Sequence, residues 1–476
     1  AVLLERPVRR RRASRTRFAG GQLDVFHKLL IANRGEIACR VARAARALGA
    51  RTVAVFSDVD ERALHVEQCD EAVRLGPAPA RESYLDAEKI LAAARSTGAE
   101  AIHPGYGFLS EQATFAEACA AAGVVFVGPP PGAMRAINDK AQARRVMRDA
   151  GVPVAPGSEG HVTPDAAIDE ARALGFPLLV KAAGGGGGIG MQVANDEPEL
   201  VKALRACADR ARASFGKDAV YLERYFPAPR HVEVQVLGDD RLTLHLGARE
   251  CSIQRRHQKV VEEAPATAFE LPSPRPHVRD KLLHAGLAAA RAVGYANAGT
   301  CEFLLVGDEV YFIELNARLQ VEHPVTEAVT GLDLVQLQIR TAAGERLPIG
   351  QGDVKTRGHA IECRVNAEDP VKFFPSPGKI GRFETPVPAD GKFHDGVRID
   401  AGYRAGDIVT PFYDSLLAKL VVHAGTRDEA IARLRTAIDA FVIEGVKTNL
   451  PLHRRIAGSQ AFARGELDTR FLERLS

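Results

Sequence analysis

From residue 300 to 323 the chain reads TCEFLLVGDEVYFIELNARLQVEH, and this stretch leaves a fold little choice. Two strand-type runs flank Gly307-Asp308-Glu309, which predicts a hairpin with a three-residue loop. Counting outward from Asp308 then sets Glu302 opposite Glu314. Like charges directly opposed across an antiparallel pair are destabilising, and a cation between them removes the conflict. Hard Mg2+ takes one or two carboxylates together with substrate phosphate oxygens, so a paired Glu suits a metal–nucleotide site. Beyond the hairpin the alternation is strict. Ile313, Leu315, Ala317, Leu319 and Val321 fall on one parity, and Glu314, Asn316, Arg318, Gln320 and Glu322 on the other. While the chain stays extended, one face is core and the other presents carboxylates, amides and a guanidinium. A half-exposed strand with scattered charges is the plainer alternative, but Glu, Asn and Arg are dense here for a solvated face.

Around the hairpin, apolar strand-type runs alternate with helical periodicity. Residues 28–32, 51–56, 101–103 and 124–127 read as short strands, while 35–48 carries apolar residues at helical spacing. This βαβ series implies a doubly wound parallel sheet over 25–138. Strands at 231–237, 242–246, 300–306 and 310–315 imply a mixed α+β body over 139–345, and 344–358 reads as a connector. A third unit, 356–465, has strands at 360–365 and 416–422 and a helix at 427–442. The 476 residues accommodate three such units at roughly 150 residues each.

The charge is unevenly placed. Residues 1–24 hold seven Arg against Glu5 and Asp24, so the formal net charge of +3 resides there and the remainder is slightly acidic. The body is therefore not a basic nucleic-acid binder. Residues 1–24 lack the apolar stretch of a secretory signal and read as a disordered basic extension ahead of a native start near Val25, with a transit peptide as the alternative. No window approaches the roughly 18 uninterrupted apolar residues of a membrane span. Seven Cys with no CxxC pair exclude a disulfide scaffold and a zinc ribbon, and favour a reducing cytoplasm.

Lys181 opens KAAGGGGGIG, directly after the strand-like LLV. Five consecutive Gly let backbone N–H groups close onto phosphate oxygens, so the run reads as a phosphate-binding lid in preference to a linker. It is neither a P-loop nor a dinucleotide fingerprint. HPGYGF (103–108) is an incomplete dinucleotide motif, with Ser110 where the third Gly belongs, and reads as a tight turn. CSIQRRHQK (251–259) is densely basic without interleaved aromatics, which suits a polyanionic small ligand better than nucleic acid. His27 and His65 have no ligand spacing and read as structural or solvated. The Cys read as buried small hydrophobes, and nothing marks Cys251 or Cys301 as a nucleophile.

Taken together, IANRGEIA (31–38), HPGYGFLSE (103–111), KAAGGGGGIGM (181–191), RHVEVQV (230–236), CSIQRRHQKVVEEAPA (251–266), NARLQVEHPVTE (316–327), ECRVNAEDP (362–370) and YDSLLAKL (413–420) resemble the biotin carboxylase family of ATP-grasp enzymes. The resemblance spans 27–465. It implies a preATP-grasp domain, an ATP-grasp domain with a Gly-rich lid at about 155–227, and a C-terminal biotin-carboxylase domain, α/β and α+β in class. The implied reaction is ATP-dependent carboxylation of carrier-bound biotin by bicarbonate through carboxyphosphate. The implied metal is Mg2+ or Mn2+, held by Glu302, Glu314 and Asn316. Lys140, Lys181, His231, His257, Gly187 and Gly188 match nucleotide and phosphate contacts, and Glu223, Arg224, Tyr225 and Phe226 the adenine hinge. Lys259, Arg318 and Val321 match the bicarbonate pocket, Glu322 the base, and Arg364 the clamp on biotin's ureido oxygen. Ile189 departs from the Arg or Lys that most members place in the lid.

Met134, Met147 and Met191 are followed by Arg, Arg and Gln, so no biotinyl-lysine motif is present. The expectation is a cytoplasmic homodimer that meets a biotin carrier protein and a carboxyltransferase in trans, as in the acetyl-CoA carboxylase of fatty acid biosynthesis. The same component of a pyruvate- or 2-oxoglutarate-type carboxylase, another ATP-grasp ligase and a nucleotide sensor are the competing readings.

Overall fold

The computed structural model describes residues 25–475 apart from 159, 163, 183–190, 216–218 and 256–257. β1 (Lys28–Ile31), β2 (Arg51–Ser57), β3 (Glu71–Gly76), β4 (Ala101–His103) and β5 (Val125–Phe126) form one sheet in the order β3-β2-β1-β4-β5. Every pairing in it is parallel, as the βαβ pattern predicts. Leu29, Leu30 and Ile31 are all fully buried because β1 is central and covered on both faces, which is why its run does not alternate. β3 has no apolar run to announce it. It is an edge strand whose Glu71, Val73 and Arg74 stay partly in solvent.

β6 (Leu178–Ala182), β7 (Met191–Ala194) and β8 (Val220–Arg224) make a small antiparallel sheet, ordered β7-β6-β8. It packs a core of its own, with Leu178, Val180 and Leu222 against Leu200 and Leu204 of the helix Glu197–Phe215.

The main sheet draws on the rest of the chain. It contains β9 (Arg230–Gly238), β10 (Thr243–Arg255), β11 (Gln258–Ala264), β12 (Asn297–Val306), β13 (Glu309–Asn316) and β14 (His359–Asn366). Two short ribbons follow: β15 (Gly378–Lys379) pairs with β18 (Ile408–Val409), and β16 (Arg382–Glu384) with β20 (Val442–Glu444). β17 (Val397–Ala401) and β19 (Leu416–Ala424) rejoin the main sheet, whose order is β13-β12-β9-β10-β11-β14-β19-β17. The strands beyond residue 356 therefore build no separate sheet of their own size. β14 pairs antiparallel with β11, and one hydrogen-bonded surface of eight strands crosses the connector.

The hairpin loop is shorter than the sequence predicts. Val306 pairs with Glu309, so the turn is Gly307-Asp308 alone, with Gly307 in the left-handed region at φ +59°. A register shift between Phe303↔Phe312 and Glu302↔Glu314 leaves Ile313 as an extra residue, a β-bulge. The bulge restores the Glu302–Glu314 pairing that the shorter loop alone would lose. It also switches the core-facing parity: Val310 and Phe312 point into the core before it, Leu315 and Ala317 after it. Glu314 and Asn316 are thereby turned to the opposite face. The extended run ends at Asn316, and the helix His323–Thr330 starts soon after.

The parallel sheet meets the main sheet where Gly402, just past β17, lies against the start of the helix Gly35–Ala47. A Cβ on Gly402 would sit 2.4 Å from the Glu36 nitrogen and 2.8 Å from the Gly35 carbonyl carbon. Both are backbone atoms and cannot rotate aside. Gly402→Ala is expected to cost about 1–3 kcal/mol, the usual range for overpacking. Chemical denaturation checks it, and an unchanged midpoint would show that this junction yields freely.

Candidate active site

Four strands set charges in one cross-strand row. Arg249 of β10 is opposite Glu233 of β9, Glu233 is opposite Glu302 of β12, and Glu302 is opposite Glu314 of β13. Three adjacent carboxylates at sheet spacing need cations. Arg249 is fully buried and donates to Glu233 at 2.5 Å, to Gln235 at 2.6 Å, to Thr326 at 2.9 Å and to Thr300 and Gln320 at 3.0 Å. Lys259, near the start of β11, donates to Glu233 and Glu322 at 2.6 Å and to Glu302 at 2.8 Å. Lys140, on the helix Lys140–Asp149, donates to Glu314 at 2.9 Å.

Among the carboxylates of the row, Glu302 carries the most partners. Besides Lys259, it accepts from Asn316 at 2.8 Å and Gln320 at 2.6 Å, and His231 Nε2 lies 3.0 Å from its other oxygen. Burial opposes its ionisation, yet Lys259 and His231 hold it well below the usual carboxylate range. Glu322 behaves alike: burial is outweighed by Lys259, Arg364 and Arg249, and its carboxyl is held far down. Arg364 Nη2 donates to Glu322 at 3.0 Å and its Nε to Glu262 at 2.6 Å. Arg318 donates to Asn316 at 2.9 Å and to Glu111, from the first unit, at 3.1 Å.

Lys259, Arg318, Val321 and Arg364 all line one cavity of about 540 Å3, together with Tyr106 and Tyr413. The cavity thus has cations and aromatic rings in its lining, with Arg34 stacked 4.4 Å over Tyr413, and its volume has room for a small anion beside a flat heterocycle. Glu302, Glu314 and the Asn316 amide oxygen offer the oxygen donors that a hard divalent cation takes, and the cross-strand register brings the two carboxylates side by side.

The sequence-predicted residues fall into groups. Lys259, Glu302, Asn316, Arg318, Glu322 and Arg364 form one continuous hydrogen-bonded chain, with His231 against it. Lys140 joins it only through the Glu302–Glu314 pairing. Lys181 is paired with Glu223, which Arg144 also holds at 2.5 Å. Arg224 is exposed and its guanidinium donates to the Leu174 carbonyl at 2.7 Å. Tyr225 N–H donates to the Pro177 carbonyl at 3.1 Å, and Phe226 stacks on Tyr311 at 5.1 Å. Gly187, Gly188, Ile189 and His257 lie outside the described residues.

Sequence reasoning missed Arg249, Glu233, Glu111 and Arg144. A signal existed for Glu233: His231, Glu233 and Gln235 alternate along β9, polar residues on one face of an otherwise apolar strand. Arg249 carries no such mark. The inert groups are as expected. Cys251 and Cys301 are fully buried and burial pushes both thiols up, while buried His65 is pushed down to about 4. No helix among the described residues is long and apolar enough to cross a membrane.

A main sheet carrying this carboxylate row and a separate small antiparallel sheet are the frame of an ATP-grasp protein. Family models agree along the chain: "Biotin carboxylase, N-terminal domain" matches 25–134, "Carbamoyl-phosphate synthase L chain, ATP binding domain" 139–350, and "Biotin carboxylase C-terminal domain" 362–474. The "Biotin carboxylase" of Pseudomonas aeruginosa is 49% identical over 453 residues, which cover 94% of this chain and 98% of that one. A pyruvate carboxylase component of Methanothermobacter thermautotrophicus is 47% identical over 453 residues, covering 94% and 90%. The biotin carboxylase domain dimer of the Hydrogenobacter thermophilus 2-oxoglutarate carboxylase, solved with MgADP, ADP and bicarbonate, superposes with a TM-score of 0.88 at 45% identity, covering 94% and 97%. The chain belongs to the biotin carboxylase family. It is an ATP-dependent ligase.

Removing Lys259 would leave buried carboxylates without their shared cation. Lys259→Met is expected to lose about 3–5 kcal/mol at neutral pH, the cost of breaking a buried pair from one side. Glu302 and Glu322 ionise low in the folded protein, so their pairing stabilises above the ordinary carboxylate range and fades as pH falls below it. The gap between variant and parent should therefore be narrower at about pH 3 than at neutral pH. Urea titrations at the two pH values check both parts, and a pH-independent gap would argue for lost packing alone.

Proposed function

We propose that this chain carboxylates biotin on a separate carrier protein, using ATP and bicarbonate, as the biotin carboxylase component of an acetyl-CoA or other acyl-CoA carboxylase. The observation that carries it is one cavity lined by Lys259, Arg318 and Arg364, with buried Glu322 hydrogen-bonded to both Lys259 and Arg364. Relatives of pyruvate- and 2-oxoglutarate-carboxylase type match almost as well, because the acceptor is chosen by another component of the assembly. We place the enzyme in the cytoplasm as a homodimer, in keeping with the dimer named for its Hydrogenobacter thermophilus neighbour.

In this reading Lys140, Lys181 and His231 hold the triphosphate, the backbone of Glu223 to Phe226 receives adenine, and Glu302, Glu314 and Asn316 hold Mg2+. The metal supplies charge neutralisation between the phosphates. Bicarbonate sits against Lys259, Arg318 and Val321. Glu322 in its resting bonds is a weak base, since Lys259 and Arg364 stabilise its charge. A bound anion competes for those same cations and loosens their hold, which raises the basicity of Glu322 when there is a proton to take. The bicarbonate oxygen then attacks the γ-phosphorus, the bond to the β,γ-bridging oxygen breaks and ADP leaves. Carboxyphosphate breaks down to CO2 and phosphate inside the closed site. Arg364 stabilises negative charge on the ureido oxygen while the released phosphate takes the ureido N–H proton and the nitrogen attacks CO2.

Arg318→Ala and Glu322→Ala should each lower turnover about 10²–10³-fold, the usual loss for one preorganised catalytic group, while ATP still binds. ADP release measured with and without bicarbonate, then with free biotin, tests the whole reading. Release that needs bicarbonate and rises with biotin is the expected result. Release indifferent to biotin and to a biotinylated carrier would overturn it in favour of another ATP-grasp ligase.

A further inference from the structure

Under the helix His323–Thr330 the main sheet carries a second carboxylate pair that the reaction above does not use. Glu262 of β11 and Glu362 of β14 are directly opposed in the antiparallel register, and both are fully buried. Arg364 donates to one oxygen of Glu262. The other oxygen of Glu262 and both oxygens of Glu362 find no hydrogen-bond partner among the described residues. On its far side Glu362 is opposite Val421 of β19, which belongs to an apolar cluster with Ala264, Ala360, Val325 and Val329.

The charged groups around the pair are engaged elsewhere. Arg364 also holds Glu322, and Lys259 holds Glu233, Glu302 and Glu322. Lys419 Nζ donates to the Val321 carbonyl at 3.0 Å and lies 3.1 Å from Glu36. From the helix side, Glu322 adds negative charge, Glu327 is taken up by Arg40 and Arg398, and burial and Lys419 keep His323 neutral. Two desolvated carboxylates sharing one guanidinium would repel each other with three lone oxygens between them. One proton removes a charge and turns two of those oxygens into donor and acceptor.

We propose that Glu262 and Glu362 hold a single proton between them, with Glu362 the neutral acid that donates to Glu262, and that this pair positions Arg364. The neutral acid keeps the charge of the pair at one unit, borne by the Glu262 oxygen that Arg364 Nε already meets, while Glu322 takes its Nη2. Losing the proton adds a second anion next to Glu322 and draws the guanidinium deeper, away from the cavity it lines. Burial raises both groups, Glu362 well above the ordinary range and Glu262 to about 7, with the neighbouring cations pulling the other way. The shared proton stands on the pair's geometry alone; the positioning rests also on reading Arg364 as a biotin contact.

Glu362→Gln tests it by keeping the shape and a hydrogen-bond donor while removing the titration. Unfolded Glu362 ionises in the ordinary range and the folded residue does not, so folding becomes less favourable to the parent as pH rises above that range. The variant should therefore melt above the parent at about pH 8, with the gain vanishing near about pH 5. Infrared spectra should show the parent losing a deuterium-sensitive protonated-carboxyl band on substitution. KM for biotin should climb at alkaline pH in the parent, by at most about tenfold per pH unit for one proton, and stay flat in the variant. Should Glu362→Gln not fold, Glu262→Gln should keep the band but shift its frequency, since the Glu362 acid then donates to an amide oxygen, and should raise KM at every pH. A parent with no such band, or a variant less stable at both pH values, would overturn the shared proton. Matching KM profiles would overturn the positioning of Arg364. Melting and infrared need no turnover, so a failed carboxylation assay would leave the shared proton standing and remove only the functional reading.

Discussion

One ammonium group holds the centre of this protein together. Lys259 reaches Glu233, Glu302 and Glu322 from three separate segments, and each bond is 2.8 Å or shorter. The sheet register creates the need for it, because directly paired strands place Glu233, Glu302 and Glu314 side by side. A sheet cannot slide to relieve this without turning every alternate side chain to the wrong face. The repulsion must be met by cations, and Arg249, Lys259 and Lys140 meet it from different strands and a helix. A row of carboxylates with Glu233 and Glu302 buried and Glu314 half-buried costs a fold stability, so its presence marks a place built to receive positive charge.

The resting bonds also show how the site waits. Nearly every cation proposed to touch substrate is paired with a carboxylate: Lys181 with Glu223, Lys140 with Glu314, Arg318 with Glu111, and Arg364 with Glu262 and Glu322. Polyphosphate and bicarbonate are anions, and each can replace a carboxylate partner without leaving a buried charge alone. Exchange of partners costs less than desolvating a free cation would.

Much of this was legible in the sequence, though not always for the right local reason. The Glu302–Glu314 pairing follows from counting outward through the loop. The loop is one residue shorter than counted, and the Ile313 bulge makes up the difference. Composition alone does not announce a bulge, since nothing in Tyr311-Phe312-Ile313 departs from an ordinary strand. The central strands of the parallel sheet were readable because they are apolar on both faces. β3 was not, because an edge strand half in water needs no apolar run. Arg249 was invisible for a related reason: a lone Arg in a strand looks solvated until the strands that surround it are known.

The least legible feature was the continuity of the main sheet through the connector. Strand pairing between β11 and β14 is a contact of high sequence separation, and no local pattern in either strand specifies it. Its consequence is chemical. Arg364 comes from the last third of the chain, yet its guanidinium stands on the same sheet face as Glu262 and within a hydrogen bond of Glu322. A clamp carried on a separately hinged unit would drift relative to Lys259 whenever the units moved. A clamp on the neighbouring strand of one hydrogen-bonded sheet cannot, and this fixes the distance between the group proposed to hold bicarbonate and the group proposed to hold biotin. In the proposed reaction a moving cover would fall to the small sheet of β6, β7 and β8, which among the described residues is not paired into the main one and has its own core. Rigid chemistry and a separable cover are consistent with a reaction whose intermediate would be lost to water.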